Sequence, residues 1–219
     1  MIKHLLFDCD GVLIDTEIVA AEVVTDWLQS EHVSIDIETY IRDYTGKTFT
    51  DIITILKESG ELDAALNVST IVPELDAMIR DNQRPIPGVW DMLNSLSIPR
   101  SVVSNSAKDY VALALEKLKI SHHFEGRIFS ADMVKKGKPS PDVYQLALET
   151  LSLSPKDVLV IEDSVAGVTA AVAAGLNTIG YLGGSHVRDG LGEVLRSAGA
   201  KMLALDHSDL RQKISETLE

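Results

Sequence analysis

Two aspartates, Asp8 and Asp10, stand two residues apart where the apolar stretch "HLLF" runs into "DCDG". Like charges at this spacing repel each other, and partial burial makes the repulsion stronger. A cation beside the pair is the simplest compensation. Carboxylates can bind a metal ion, attack an electrophile or carry a proton, so the pair predicts a reactive site at the end of a buried strand.

Polar residues follow other apolar runs in the same way. Ser104 and Asn105 stand in "VVSNS", Glu162 and Asp163 stand in "LVIEDSVAG", and Lys138 precedes a proline in "KKGKPSPD". In open parallel sheets, ligands bind outside the carboxyl ends of the strands. We therefore expect a hydroxyl, an amide, an ammonium group and four carboxylates to converge on one edge of one sheet.

The carboxylates have distinct uses in phosphoryl transfer. Mg²⁺ prefers oxygen ligands, so Asp8 and Asp163 are the expected direct ligands, with a main-chain carbonyl near Asp10 as another. Asp8 comes first at the strand end and is the better candidate for a nucleophile that forms an aspartyl-phosphate. Asp10 lies on the same side of the strand and could protonate the leaving oxygen and later activate water.

Ser104, Asn105 and Lys138 complete the predicted site. The Ser104 hydroxyl and the backbone N–H groups around Asn105 could donate to phosphoryl oxygens, and Lys138 could offset the negative charge gathered there. Two neighbouring residues have structural interpretations instead. Ser164 is expected to cap the next helix, and Cys9, which points to the opposite face of the strand, is expected to be a small buried side chain.

The elements that must position these residues alternate between strand and helix. Six short apolar runs predict buried strands, at 2–7, 100–103, 127–129, 158–161, 177–181 and 201–203. Between them, apolar residues recur at helical spacing, as at Val111, Leu115 and Leu118. Alternating strands and helices predict βαβ units and an α/β fold, with a parallel sheet covered by helices on both faces.

One region, residues 16–84, breaks this alternation because its apolar periodicity is helical throughout. The predicted helices cover 16–31, 35–43, 49–59 and 62–82, and the region closes at "RPIPG", where two prolines and a glycine mark a boundary. The pattern predicts an inserted all-helical cap domain at 16–84. The α/β core domain would then consist of residues 1–15 and 85–219.

The quoted residues resemble a known family. "DCDGVLIDTE", "VVSNS", "KKGKPSPD" and "VIEDSVAG" are similar, in their expected order, to the four motifs of the haloacid dehalogenase (HAD) superfamily. The resemblance spans the core from Phe7 to about Gly183 and includes a helical insertion where one subgroup carries its cap. It implies a Rossmann-like core. The four motifs together are highly specific, whereas any one alone is weak.

The resemblance also implies roles for individual residues. The counterpart of Asp8 is the family's nucleophile and that of Asp10 its general acid and base, while the counterparts of Ser104 and Lys138 hold the phosphoryl group. Asp8, Asp163 and the carbonyl of Asp10 would bind Mg²⁺. Glu162 would support that metal site. The family's true dehalogenases lack the second aspartate and need no metal, so Asp10 is typical of the phosphoryl-transfer members.

The resulting functional hypothesis is a Mg²⁺-dependent phosphohydrolase acting on a small phosphorylated metabolite, similar to bacterial sugar-phosphate phosphatases, including those acting on 6-phosphogluconate. The alternative is a mutase of the β-phosphoglucomutase type. Against it, a histidine and an arginine that such mutases use align with Ala20 and Phe49. A non-catalytic binding protein is less favoured because all motif residues are present. Lys47 and Thr48, in "GKT" at 46–48, are predicted to contact substrate from the cap.

Composition limits the remaining possibilities. The formal net charge of −13 argues against nucleic-acid binding, and no apolar run is long enough to span a membrane. The single cysteine and the absence of a signal-like N-terminus favour a cytoplasmic protein, expected to be a monomer or weak dimer. The adjacent His122 and His123 are interpreted as a helix–loop boundary, because no other metal ligand stands at zinc spacing nearby.

Overall fold

The computed structural model describes residues 1–44 and 47–218. The chain packs into two compact units. One consists of Met1–Asp15 together with Pro85–Glu219, and the other of Thr16–Arg84. The elements follow one another as β1 (His4–Phe7), α1 (Thr16–Ser30), α2 (Ile37–Tyr44), α3 (Phe49–Glu58), α4 (Val68–Asn82), α5 (Val89–Ser95), β2 (Arg100–Ser104), α6 (Lys108–Lys117), β3 (Ile128–Ser130), α7 (Asp142–Leu151), β4 (Val158–Glu162), α8 (Val165–Ala173), β5 (Asn177–Tyr181), α9 (Leu191–Ala198), β6 (Met202–Ala204) and α10 (His207–Leu218).

The six strands form one parallel sheet in the order β3-β2-β1-β4-β5-β6. All six predicted runs are strands within two residues of the predicted bounds. β1 and β4 are buried along their whole length because they lie in the middle of the sheet. Continuous apolar runs are typical of strands covered on both faces. The predicted Rossmann-like α/β fold is confirmed.

Successive side chains of β1 enter different cores, because neighbouring residues of a strand point to opposite faces. Leu5 and Phe7 belong to a cluster that includes residues of α5, α6 and α10. Leu6 belongs to a second cluster that includes residues of α7 and α8. Helices therefore cover both faces of the sheet, and β1 is fixed from both sides.

The helical unit, Thr16–Arg84, has its own core, formed by side chains of α1 to α4 together with Val33 and Leu62 from the connections. Three predicted helices begin within two residues of the observed positions, but the fourth does not. α4 begins at Val68 instead of residue 62 because Asn67 caps it, its side chain accepting from the backbone N–H of Ser69. Asp63 accepts from Ala65 N and closes a turn just before this cap. Such local side-chain bonds compete with helix formation.

Arg100, at the start of β2, closes the end of α5. Its guanidinium is buried and donates to the carbonyls of Leu93, Leu96 and Ile98. The last carbonyls of a helix have no partner within the helix, so a buried helix end needs such donors. The strand that carries Ser104 at its other end is thereby joined to the helix that precedes it.

His4 makes folding stability depend on pH. Its Nε2 lies 2.8 Å from Ser101 Oγ in the buried sheet. Burial, reinforced by the charge of Arg127, lowers the pKa of His4 to about 4. The unfolded value is about 6.5, so the stability from the neutral ring is complete above pH 6.5 and is lost as the pH falls towards 4.

We therefore expect His4→Gln, which can still pair with Ser101, to lose less stability than the wild type between pH 7 and pH 5. The difference should be of the order of 1–2 kcal/mol, from a pKa shift of this size. Urea denaturation at the two pH values measures it. His32→Gln, which changes an exposed histidine of the helical unit, is the matched control. Identical pH dependence in His4→Gln and wild type would contradict the prediction.

Among the described residues, no helix combines the length and the apolar composition needed to cross a membrane.

Candidate active site

The site is built where the central strands of the sheet end. Phe7 of β1 is in register with Val102 of β2 and with Ile161 of β4, so these three strands end at nearly the same level. Asp8 and Asp163 follow the ends of β1 and β4, and the strand-terminal residues Ser104 and Glu162 close β2 and β4. Parallel strands bring their carboxyl ends to one edge, as the sequence predicts.

Lys138 connects three of these strands. Its Nζ lies 2.7 Å from Asp8 Oδ1, 2.6 Å from Glu162 Oε1 and 2.8 Å from the carbonyl of Val103. These acceptors use all three protons of the ammonium group. Burial alone would lower the pKa of Lys138, but Asp8 and Glu162 together raise it well above its ordinary value. The side chain is therefore a permanent, fixed positive charge between two carboxylates.

Asn105 holds the backbone of Lys138. The Asn105 Oδ1 accepts from Lys138 N at 2.8 Å, and its Nδ2 donates to Lys138 O at 3.0 Å. The nearby Gly137 allows this approach, since a Cβ there would lie 2.6 Å from Asn105 Oδ1. The side-chain amide of Asn105 is thus engaged in positioning the lysine. Its predicted contact with substrate stays a prediction, and it concerns the backbone N–H groups around it.

Glu162 is fully buried and both of its oxygens are engaged. Oε1 accepts from Lys138 and from the Tyr144 hydroxyl at 2.9 Å, and Oε2 accepts from Ser164 N and Oγ at 3.3 and 3.0 Å. A Cβ on Gly167 would lie 1.9 Å from its carboxyl carbon. Ser164 also caps α8 as predicted, accepting from Gly167 N at 2.9 Å. This environment favours a supporting role for Glu162 over direct metal binding.

Asp8, Glu162 and Asp163 each offer a carboxylate oxygen, and these oxygens lie within 4.8 Å of one another. Burial and then Glu162 raise the pKa of Asp8 well above its ordinary value, although Lys138 acts in the opposite direction. Burial also raises the pKa of Asp163, partly offset by a hydrogen bond from His186. One ammonium group therefore does not balance the negative charge. The oxygen-only donor set and the uncompensated charge fit a hard divalent cation such as Mg²⁺.

Asp10 is held by the serines that follow β2. Its Oδ2 lies 2.8 Å from Ser106 Oγ and 3.4 Å from Ser104 Oγ. Ser106 N donates to Ser104 Oγ at 3.0 Å, so the two hydroxyls and the carboxylate form one network. Sequence reasoning missed Ser106. Its position two residues after Ser104 in "VVSNS" could have indicated it, because residues two apart in an extended chain point to the same side.

The loop after β5 also reaches this edge of the sheet, and sequence reasoning missed it. His186 Nε2 lies 3.3 Å from Asp163 Oδ2. Asp15 accepts from Ser185 N at 3.2 Å and from the Ser185 hydroxyl. The glycine-rich stretch "GYLGG", residues 180–184, begins in β5 and continues into this loop. His186 and Asp163, like Ser185 and Asp15, are brought together by the fold of the sheet. No short-range pattern in the sequence therefore predicts these contacts.

Lys47 and Thr48 belong to the helical unit. Lys47 Nζ donates to the carbonyl of Asp43 at 2.8 Å, and Thr48 caps α3 by a reciprocal pair of hydrogen bonds with Asp51. Both residues thus have local structural partners, and their contact with substrate stays a prediction. Gly46, the first residue of "GKT", lies outside the described residues.

Other predictions concern the surroundings of the site. Cys9 is fully buried, as expected of a small apolar side chain between two aspartates. His122 and His123 form a short 3₁₀ turn with Ser121 after α6. Their ring centroids lie 4.0 Å apart, with the ring planes inclined by 38°. The interpretation of this pair as a boundary between helix and loop is therefore confirmed.

A parallel α/β sheet with nucleophile-capable carboxylates, serines and a buried lysine at its carboxyl edge defines the class of HAD-like hydrolases. The chain belongs to this family: the sequence pattern of the haloacid dehalogenase-like hydrolases matches residues 5–181. The family resemblance of the four motifs is thereby confirmed, and so is the expectation that the protein is a hydrolytic enzyme.

Three similar proteins illustrate the relationship. The chain is 25% identical over 187 residues to the 6-phosphogluconate phosphatase of Escherichia coli K12, covering 84% of this chain and 85% of that protein. It is 30% identical over 190 residues to a phosphorylated carbohydrates phosphatase of Thermotoga maritima, covering 81% and 83%. The crystal structure of a HAD family hydrolase from Deinococcus radiodurans R1 with bound phosphate and sodium superposes with a TM-score of 0.87 at 27% identity, covering 98% and 96%.

Proposed function

We propose that the protein is a Mg²⁺-dependent phosphatase that hydrolyses a small sugar phosphate through an aspartyl-phosphate on Asp8. The observation that carries the proposal is the fixed ammonium of Lys138 between Asp8 and Glu162, 2.7 and 2.6 Å from their oxygens. It orients the Asp8 carboxylate and leaves a site whose charge is still negative. Such a site is suited to bind a divalent cation and a phosphoryl group together.

The proposed reaction has two steps. The Asp8 carboxylate attacks phosphorus, the bond from phosphorus to the ester oxygen breaks, and Asp10 gives its proton to the leaving alcohol. Asp10, now ionised, takes a proton from water as that water attacks the acyl-phosphate. Inorganic phosphate leaves, and Asp8 is a carboxylate again. Ser106 and Ser104 keep the Asp10 carboxylate in one orientation during both steps.

Asp8, Asp163 and the main-chain carbonyl of Asp10 are the groups that would hold Mg²⁺, with Glu162 supporting them. When bound, the ion would supply positive charge and Lewis acidity beside the transferring phosphoryl group. Lys138 would remain on Asp8 and hold its orientation. Burial of the carboxylates excludes water, and fixed charges act more strongly where water is excluded.

Removal of divalent metal tests the cofactor. In excess EDTA we expect the protein to stay folded and to lose its phosphatase activity, because the site would keep Lys138 and its hydrophobic surroundings but would lose the charge of the divalent cation. Added Mg²⁺ should restore the activity. Hydrolysis of p-nitrophenyl phosphate measures turnover, and circular dichroism in EDTA is the control for folding. Full activity in excess EDTA would contradict the metal assignment.

The names of the two phosphatases above support sugar phosphates as the substrate class. A panel of phosphorylated metabolites, assayed by release of inorganic phosphate with Mg²⁺ present, tests the proposal directly. We expect sugar and sugar-acid phosphates to be hydrolysed faster than nucleotides. Uniformly slow turnover of all of them would contradict the substrate class, while hydrolysis of p-nitrophenyl phosphate would still support the phosphatase chemistry.

A mutase would need to keep its aspartyl-phosphate from water until a second sugar hydroxyl accepts the group. The positions that align with the mutase's histidine and arginine hold Ala20, in α1, and Phe49, the first residue of α3. Neither side chain can move a proton or bind a phosphate dianion. With β-glucose 1-phosphate and a glucose 1,6-bisphosphate primer, we expect phosphorus NMR to detect phosphate release. Isomerisation faster than release would favour the mutase.

A further inference from the structure

The mechanism above leaves one partly buried histidine of the site without a role. His186 lies on the loop between β5 and α9, and its Nε2 is 3.3 Å from Asp163 Oδ2. The side chains of His186 and Asp163 are 13% and 7% exposed, so the contact is largely shielded from water. A shielded hydrogen bond holds its partner more firmly than an exposed one.

We propose that His186 is a positioning residue that fixes the Asp163 carboxylate for metal binding, by donating its Nε2–H to Oδ2. This inference rests on the metal-binding part of the proposed function. A donor on one oxygen sets the rotation of the carboxylate about its Cβ–Cγ bond. Outer partners of this kind orient the ligands of metal sites and determine much of their affinity.

Two glycines leave space for the pair. A Cβ on Gly11 would lie 1.7 Å from Asp163 Oδ2 and 3.0 Å from His186 Cε1. A Cβ on Gly184 would lie 2.7 Å from the same Cε1 and 2.8 Å from His186 Nδ1. The imidazole and the carboxylate therefore pack directly against the backbone at both glycines. This packing restricts the motion of both side chains.

The loop that carries His186 is itself attached to the core. Ser185 donates to Asp15 from its backbone N–H at 3.2 Å and from its hydroxyl. Asp15 is 3% exposed but Ser185 is exposed, so these bonds are partly shielded. The loop residue next to His186 is therefore fixed, and the imidazole is presented to Asp163 from a defined position.

Direct metal binding tests the proposal without substrate. The full chain is titrated with Mn²⁺, and free Mn²⁺ is measured from its EPR signal. His186→Leu keeps the bulk and removes the donor, so it should weaken Mn²⁺ binding about tenfold, the lower end of effects seen for such outer partners. His186→Gln keeps an N–H donor and should restore most of the affinity. His122→Leu, at an exposed histidine, should bind like the wild type.

A second measurement separates positioning from general damage to the fold. The Mg²⁺ concentration for half-maximal hydrolysis of p-nitrophenyl phosphate should rise in His186→Leu, while the rate at saturating Mg²⁺ should change less. Equal Mn²⁺ affinity of His186→Leu and wild type would overturn the inference, and so would a folded His186→Gln as impaired as His186→Leu. A wild-type protein that binds no Mn²⁺ would instead overturn the metal part of the proposed function, and the inference with it.

Discussion

Asp8→Asn is expected to lower the turnover of p-nitrophenyl phosphate by about four to six orders of magnitude, as removal of other covalent nucleophiles does. Asparagine has the shape of aspartate and an oxygen that can still accept from Lys138. It has no carboxylate to attack phosphorus. Because burial and Glu162 already disfavour the charged form of Asp8, loss of this charge should not destabilise the fold.

Steady-state kinetics and thermal melting of the purified variant test this expectation. Asp26→Asn changes an exposed aspartate of α1 in the same way and should keep wild-type activity. If Asp8→Asn retained a tenth of the wild-type rate, direct attack of water on the substrate would be the better mechanism. A large fall in melting temperature would indicate that Asp8 has a structural role as well.

Lys138→Met is expected to have the second-largest effect on turnover, and it should also lower the stability of the fold. Methionine fills a similar volume but leaves Asp8 and Glu162 without the ammonium group that lies within 2.7 Å of both. Loss of one partner of a buried ion pair typically costs about 3–5 kcal/mol. Turnover should fall by at least about a hundredfold, as when a stabilising group for the transition state is lost.

The stability deficit of Lys138→Met should also depend on pH. Without the ammonium group, which lowers the pKa of Asp8, the folded-state pKa of Asp8 should rise further above the unfolded value of about 4. The deficit should therefore grow as the pH rises from 5 to 8, because the unfolded chain then releases protons that the folded chain retains. Urea denaturation at both pH values measures it, with Lys136→Met, at an exposed lysine, as the control. A pH-independent deficit would contradict the prediction.

Much of the core site could be predicted because its residues stand at strand ends, where the sequence changes abruptly from apolar to polar. The positions of Asp8 and Glu162 could be predicted from the apolar runs of their strands and from the geometry of parallel sheets alone. Lys138 lies on a loop before α7, and only the resemblance of "GKPSPD" to a family motif singled it out. Asn105 holds the backbone of Lys138 by two hydrogen bonds, and no pattern in a single sequence indicates this contact.

The residues that sequence reasoning missed lie on loops or make contacts between distant segments. Ser106 contacts Asp10 across 96 positions and Ser185 contacts Asp15 across 170, so local periodicity carries no information on either pair. The start of α4 was predicted too early because apolar residues such as Leu62 suggested a helix. Leu62 is indeed buried in the core of the helical unit, but it lies ahead of the cap at Asn67.

The strand order has a consequence for how the chain acquires its structure during synthesis. β1 emerges first, yet its hydrogen-bonding neighbours are β2, made after the whole helical unit, and β4, made later still. The helices of Thr16–Arg84 pack among themselves and are close in sequence. They can therefore form before either strand that pairs with β1 has been made. Contacts that span long stretches of chain form late. We therefore expect the helical unit to become ordered early in synthesis, and the cluster of Asp8, Glu162 and Asp163 to form only after Asp163 has left the ribosome.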